Sequence, residues 1–312
     1  MDKIEDKKNS EKTTRSMISF DWAMKKLLRS KANFGVLEGF LSELLFRKVK
    51  IKNIAESESN QKDKYDKFNC VDILVEIDAK EIVIIELQFN SQNDYFQRML
   101  YGTSKTITDY MHLGEDYKLV RKVYSINIVY FDLGKGDDYI YHGYTRFIGL
   151  HTNEDLRLDE DQQKLYNKEF VGDLQPEYYI LKVKNFDDVA KDTLDEWIYY
   201  LKNNKICDDF TAQGLKQARE ILAFDNMNDA EKKDYERSMK IRMIQDSELA
   251  TALYKGQNEG MAKGLAQGIK KGKAEGKLEG KIEIAKKLKL RGMTFDEIIE
   301  FTGLTKKEIE KL

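Results

Sequence analysis

Two carboxylates and one amide are the residues of this sequence best suited to chemistry: Asp72, Glu86 and Gln88. Glu86 and Gln88 lie two residues apart in an apolar run, so in a β-strand they share one face. Mg²⁺ favours carboxylate oxygens, and a bound Mg²⁺ can activate water and offset charge on a phosphoryl group. The pattern predicts a metal site at Asp72 and Glu86, where the amide of Gln88 orients the attacking water without supplying positive charge.

Strand-like runs on both sides of residues 78–80 predict a β-hairpin. If those three residues form the loop, Ile77 pairs with Glu81, and the same register places Asp72 opposite Glu86, with Cβ atoms about 5 Å apart. A two-residue loop would slip the register by one and turn Asp72 to the other face. Two carboxylates that face each other destabilise a sheet unless a proton or a metal compensates their charge. The alternative to a metal site is that Asp72 and Glu86 are ordinary carboxylates on the solvent-exposed face of the hairpin.

A helix predicted over residues 33–45 carries a third acidic candidate. At about 100° per residue its leucines form one stripe, with Glu38 on the flank of that stripe and Glu43 almost opposite. Glu38 is therefore expected to look toward the sheet, as a catalytic group or as a boundary residue reaching water, and Glu43 is expected to face solvent.

The helix predicted over residues 94–113 carries three side chains that could contact phosphate: Arg98, Tyr101 and Lys105, at helical spacing. Arg98 could equally pair with a surface carboxylate. Helices, the hairpin and further strand-like runs at 123–131 and 178–183 alternate along the chain, which predicts an α/β or α+β core.

Composition narrows the class of protein. The chain has 312 residues and only two cysteines, Cys70 and Cys207, in no metal-ligand or disulfide pattern. No apolar run reaches the roughly 18 residues of a membrane span, and the charged residues 1–15 do not resemble a secretory signal. We expect a disordered leader at 1–15, reduced thiols, and a soluble cytoplasmic protein without a membrane partner.

Seven glycines recur at every fourth position from Gly256 to Gly280. Each glycine inside a helix costs about 0.5–1 kcal/mol relative to alanine, so a helix here needs compensation. Either a second helix packs closely along the glycine stripe, or the segment is a loosely helical tether. Beyond it, Thr294 and Thr305 begin two short helices with capping-box signatures, which indicate a docking unit or a helix-turn-helix reader.

The net charge of −2 hides a segregation of charge. Residues 255–291 contain 11 basic and 4 acidic side chains, a local charge of +7, so the rest of the chain carries −9. This distribution fits a DNA-contacting arm beside a carboxylate-bearing metal domain, although a solvated lysine-rich helix would show the same count.

An ordered series of runs resembles the recombination-promoting nuclease and putative transposase family of bacteria, within the PD-(D/E)XK nuclease superfamily. The runs are FDWAMKKLL (20–28), LEGFLSELL (37–45), ESESN (56–60), KFNCVDILVE (67–76), IVIIELQ (82–88), DYFQRMLYGTSK (94–105), KVYSINIVYFD (122–132), DEWIYYLKN (195–203) and GMTFDEIIEFTGLTKKEIEKL (292–312).

The resemblance implies a mixed sheet flanked by helices, with a helical glycine-repeat arm, and Mg²⁺-dependent cleavage of DNA phosphodiesters. Asp72 matches the motif aspartate, Glu86 the acidic position of the second strand, and Glu38 the helix glutamate. Gln88 stands where the superfamily usually has lysine, and Cys70 stands where arginine is expected. These departures motivate the alternative, a non-catalytic DNA-binding or oligomerisation protein with a decayed nuclease fold.

The predicted organisation is a nuclease-like domain at 16–205, a helical extension at 206–255, the basic glycine-repeat segment at 256–291 and a two-helix tail at 292–312. A partner-docking tail that makes a homo-oligomer through the C-terminal helical arm is a further possibility.

Overall fold

The computed structural model describes residues 17–26, 30–55, 72–77 and 81–312. Its strands are β1 (Ile51–Ala55), β2 (Ile73–Ile77), β3 (Glu81–Gln88), β4 (Lys122–Val129), β5 (Ile140–Gly143) and β6 (Glu177–Lys182). Its α-helices are α1 (Phe20–Lys26), α2 (Phe34–Leu44), α3 (Tyr95–Asp109), α4 (Glu160–Tyr166), α5 (Thr193–Asn203), α6 (Leu215–Ile221), α7 (Asp229–Leu290), α8 (Phe295–Thr302) and α9 (Lys306–Glu310). The expectations for the leader, Cys70 and the hairpin loop lie outside the described residues.

The strands form one mixed sheet in the order β1-β2-β3-β4-β6-β5. β3, β4 and β6 run parallel at its centre, and β1, β2 and β5 add antiparallel pairs. Every residue of β4 is buried, as expected for a parallel strand covered on both faces. The predicted α/β class, a mixed sheet flanked by helices, is confirmed.

The predicted hairpin register is also confirmed. Ile77 pairs with Glu81, and the ladder continues to Ile73 opposite Ile85. Asp72 directly precedes β2, so one more step of the same register places it opposite Glu86.

The two faces of β3 pack against different elements. Val83, Ile85 and Leu87 belong to the main core, which also contains residues of α2 and α5. Ile82 and Ile84 face the other way and pack with Ile107 of α3. Because side chains alternate along a strand, Glu86 and Gln88 lie on the face that α3 covers.

Three details differ from the sequence-based expectations. β1 and β5, with five and four residues, are strands that the apolar pattern did not indicate. Glu43 does not face solvent: its carboxylate accepts hydrogen bonds from Thr193 Oγ1 at 2.6 Å and from the Gln213 amide at 2.9 Å. These contacts tie α2 to the start of α5 and to the segment before α6.

The chain divides into two compact units, one reaching Tyr235 and the other spanning Glu236–Leu312. The glycine-repeat segment is part of α7, a continuous helix. A Cβ added at any glycine from Gly256 to Gly280 would meet no atom within 4 Å, so no helix among the described residues packs on the stripe. With about 100° per residue, glycines four residues apart drift by about 40°, so the stripe winds around α7 instead of staying on one face.

The end of α7 and the two short helices share a small apolar core of their own. Ala285, Ile298, Leu304 and Ile309 are buried together. Both predicted capping boxes are present, Thr294 with Glu297 and Thr305 with Glu308. Within the described residues no helix has the length and apolar character needed to cross a membrane.

Candidate active site

The start of β2 and the end of β3 bring the two predicted carboxylates together. Asp72 Oδ2 accepts a hydrogen bond of 2.7 Å from the Leu87 amide, which fixes the Asp72 carboxylate beside Glu86. We call this place, defined by Asp72, Glu86 and Gln88, the carboxylate end of the sheet.

Glu86 is a buried acid whose charge is incompletely compensated. It is 4% exposed, and its Oε2 atom accepts no hydrogen bond. Arg98 Nε lies 3.6 Å from that oxygen, beyond ordinary hydrogen-bond length. Burial raises the pKa of Glu86 to about 7; the Arg98 and Tyr95 side chains oppose this rise, and the Asp72 charge adds to it. Such a carboxylate is suited to accept a cation or a proton.

Tyr95 and Asn127 complete the wall around Glu86, and the sequence reasoning missed both. Asn127 lies beside Glu86 in the parallel β3–β4 pairing. The Tyr95 hydroxyl donates to Asn127 Oδ1 at 3.2 Å, and burial raises the pKa of Tyr95. An asparagine inside the apolar run of β4 is the sequence signal that could have pointed to this contact.

Gln88 is half-buried at the last position of β3, on the same face as Glu86. Its amide nitrogen donates to the Asn90 carbonyl at 3.1 Å. The side chain is thus held next to the carboxylates by the turn that follows the strand, at a position from which an amide can orient water.

Glu38 lies away from the carboxylate end. Its Oε1 accepts from the Ile51 amide at 2.9 Å, and its Oε2 accepts from Lys50 Nζ at 2.7 Å. Ile51 pairs with Ile77, which is five residues from Asp72, or about 16 Å along a strand. The structure therefore does not bring Glu38 to Asp72 and Glu86; its visible contacts join α2 to β1.

The three residues predicted on α3 behave differently from one another. Arg98 pairs with Glu86, a buried acid of the site and not a surface carboxylate. Lys105 pairs with Asp109 at 3.3 Å, and Tyr101 is exposed.

A second group of charged residues lies at the opposite end of the sheet, on the face of the main core. We call it the turn end and define it by Glu81, Lys122 and Glu177. Lys122 Nζ lies 2.8 Å from Glu177 Oε1 and donates to the Asp173 carbonyl at 2.9 Å.

The remaining charges of the turn end are also partnered. Glu177 Oε2 lies 2.8 Å from His142 Nε2, and Glu81 binds Arg47. Burial alone would raise the pKa of Glu177, but Lys122 and His142 outweigh it and hold the pKa below its usual value. Each of these charges therefore has a close partner of opposite sign.

The carboxylate end fits a hard divalent cation. Asp72, directly before β2, and Glu86, in β3, would supply carboxylate oxygen ligands, and Glu86 Oε2 is a buried oxygen without a hydrogen-bond donor. Among the described residues no group of three or more acidic, histidine or cysteine side chains is arranged to hold a metal ion. A cation bound here would complete its coordination with water and substrate oxygens, as Mg²⁺ commonly does.

Comparison with known families agrees with this geometry. A sequence model of the PD-(D/E)XK nuclease family transposases matches residues 18–252. The chain belongs to this family. Neither the curated proteins nor the solved structures contain a match to it.

Membership among the PD-(D/E)XK nuclease family transposases implies a nuclease, and therefore a hydrolase acting on phosphodiester bonds. The family usually uses a divalent metal. The matched range contains the whole sheet and both ends described above.

Proposed function

We propose that this PD-(D/E)XK nuclease family transposase is a Mg²⁺-dependent DNA endonuclease that cuts at the carboxylate end. The observation that carries the proposal is Glu86 Oε2, a buried carboxylate oxygen without a hydrogen-bond donor beside a second carboxylate, Asp72. Burying such a group costs stability, and buried acids with strongly raised pKa values are concentrated at functional sites.

In this proposal Asp72 and Glu86 would hold the cation, and the bound cation would supply an activated water and offset charge on the phosphoryl group. The Leu87 amide keeps the Asp72 carboxylate in place, and Asn127 with Tyr95 forms the wall beside Glu86. Gln88 positions the attacking water through its amide and adds no charge. Glu38 stays outside this arrangement as a residue that supports α2 and β1.

Nicking of supercoiled plasmid DNA tests the proposal directly. Wild-type protein is expected to nick in Mg²⁺ and to stop when the cation is chelated. Asp72→Asn is expected to be inactive, whereas Asp155→Asn, which removes the charge of a half-buried aspartate paired with Arg146, serves as the matched control. Equal nicking by wild type and Asp72→Asn would disprove catalysis at this site.

The alternative, a DNA-binding protein with decayed chemistry, makes the opposite prediction. Salt-dependent DNA binding would then survive Asp72→Asn, and no metal would produce nicks. Gln88 favours this alternative, because it stands at the motif position that usually holds lysine and therefore supplies no positive charge.

We further propose that the nuclease chemistry belongs to residues 16–205, with the extension at 206–255 outside it. Residues 256–291 act as a DNA-contacting basic arm, and the tail at 292–312 as a docking unit that sets a homo-oligomeric state. Truncation at Lys255 is then expected to lower both the number of subunits per particle, obtained from the mass in solution, and the affinity for DNA; an unchanged number of subunits would end the oligomer proposal.

A further inference from the structure

Arg98 is the cation that the structure pairs with the buried acid of the site. Its Nε atom faces Glu86 Oε2 at 3.6 Å, and its Nη1 atom donates to Gln92 Oε1 at 3.2 Å. α3 fixes the backbone of Arg98, since its amide donates to the Asp94 carbonyl and the neighbours Tyr95 and Met99 are buried. Arg98 therefore lies between a buried anion and the half-buried side-chain amide of Gln92.

The contact with Glu86 is an ion pair without a hydrogen bond, so it is easily exchanged. At 3.6 Å the guanidinium offsets part of the charge of Glu86, while the Oε2 atom keeps its lone pairs available. A divalent cation bound to Asp72 and Glu86 would repel a guanidinium held within a few ångströms, because like charges at that distance repel one another strongly even when the protein screens them.

A phosphate of the substrate is a second possible partner for the Arg98 guanidinium. A phosphate that meets the cation arrives beside Glu86, and the Arg98 side chain is 32% exposed, so it reaches both the buried acid and the surface. A guanidinium binds phosphate oxygens in pairs, which a neutral amide such as Gln88 does not do.

We propose that Arg98 exchanges partners: it offsets part of the charge of Glu86 in the metal-free protein, and it turns to the substrate phosphate when a divalent cation occupies Asp72 and Glu86. The inference rests on the proposed function and adds a metal-dependent phosphate site to it. In this arrangement Arg98 also supplies the positive charge near the scissile phosphate that Gln88 lacks.

Cation binding without DNA tests the first half of the exchange. Calorimetric titration with Ca²⁺ at pH 9, where Glu86 is ionised, compares wild type with Arg98→Met and with Lys105→Met. Lys105 lies two turns further along α3 and pairs with Asp109. Arg98→Met is expected to bind Ca²⁺ about fivefold more tightly, because no ion pair has to be broken. Lys105→Met is expected to match wild type.

DNA binding in the same buffers tests the second half. In chelator, wild type and Arg98→Met are expected to bind a DNA duplex equally, since Arg98 is engaged with Glu86. In Ca²⁺, Arg98→Met is expected to bind about tenfold more weakly, and its salt slope is expected to be smaller by about one. Arg98→Lys, which keeps the charge, is expected to recover part of the affinity, and circular dichroism checks that each variant folds.

Two results would overturn the exchange: unchanged or weaker Ca²⁺ binding by Arg98→Met, or an equal loss of DNA affinity with and without the cation. Asp72→Asn separates this failure from failure of the proposed function. If Asp72→Asn binds Ca²⁺ as wild type does, the metal site itself is wrong, whatever Arg98 does.

Discussion

The two ends of the sheet bury acidic side chains in opposite ways. At the turn end, Glu177 lies against Lys122 and His142, and the pKa of Glu177 is held below its usual value. At the carboxylate end, Glu86 Oε2 has no donor, and burial raises the pKa of Glu86 to about 7. The same sheet thus contains one acid that is fully compensated and another that is not.

This difference separates a structural role from a functional one. The partners of the turn end join the sheet to the segment between β5 and β6, since Lys122 also binds the Asp173 carbonyl. Nothing comparable is gained from Glu86, whose charge Arg98 compensates only in part, so that residue weakens the fold unless a cation or a proton arrives. Substitutions at the two ends should therefore change different properties.

The largest expected effect is on DNA cleavage. Glu86→Gln removes a ligand of the proposed cation while keeping the shape of the side chain, and should lower plasmid nicking at least about 100-fold. Glu177→Gln is the matched change at the turn end and should leave nicking within about twofold of wild type at a temperature where it is folded. Comparable losses in the two variants would remove the distinction between the ends.

The second effect is on stability at the turn end. Glu177→Gln leaves Lys122, which is 8% exposed, without its carboxylate, and should lower the free energy of unfolding by about 3–5 kcal/mol at pH 7. Because the pKa of Glu177 is lowered in the fold, its contribution is present above its usual pKa and is lost as the pH falls through the folded value. Urea unfolding of wild type and Glu177→Gln from pH 7 to pH 3 measures this contribution. If the stability difference between the two proteins is the same at pH 3 as at pH 7, the prediction is wrong.

Glu86→Gln should have the opposite effect on stability. The folded pKa of about 7 exceeds the ordinary 4.5, so between these values folded wild type holds a proton that the unfolded chain has lost. Wild-type stability should therefore fall as the pH rises from about 4.5 to 7, and stay reduced above that range.

In chelator above pH 7, Glu86→Gln should exceed wild type by about 3 kcal/mol, since each pKa unit corresponds to about 1.4 kcal/mol. At pH 4 the two proteins should be equally stable. Urea midpoints from pH 4 to pH 8 test the sign of this stability difference. If Glu86→Gln is less stable than wild type at pH 8, the charge of Glu86 is already compensated in the folded protein.

The smallest effect concerns the wall of the site. Tyr95→Phe leaves Asn127 Oδ1 buried without the Tyr95 hydroxyl, at a cost of about 1–3 kcal/mol, and should reduce nicking less than about tenfold. Tyr124→Phe is the control at the turn end, where the Tyr124 hydroxyl lies 3.5 Å from Glu81. Nicking rates measured at equal folded fractions should fall in Tyr95→Phe and stay at the wild-type value in Tyr124→Phe.

The hairpin could be predicted from the sequence because loop length and alternation together define a register. The three residues after Ile77 are enough to place Asp72 opposite Glu86, and the isoleucines before Glu86 identify its face as buried. β1 and β5 could not be found in this way, since short strands at or near the edge of a sheet carry little apolar pattern.

The apolar pattern of α2 predicts the direction in which the Glu38 side chain points, but not the place on the sheet where α2 packs. Glu38 does point inward from α2, yet it meets Ile51 and Lys50 far from Asp72, because the face of a helix does not say where along the sheet the helix packs. Glu43 is held by Thr193 and Gln213, which lie at least 150 positions later in the chain. Such long-range partners depend on tertiary packing.

The central claim is that Asp72 and Glu86 hold the catalytic cation. An anomalous difference map from crystals of the wild-type protein soaked in Mn²⁺ tests it most directly, because it locates the ion independently of activity. The account predicts a peak between the Asp72 and Glu86 carboxylates, with the Arg98 guanidinium moved away from Glu86. A protein that nicks DNA with Mn²⁺, but whose crystals show the ion elsewhere and Arg98 still facing Glu86, would contradict it.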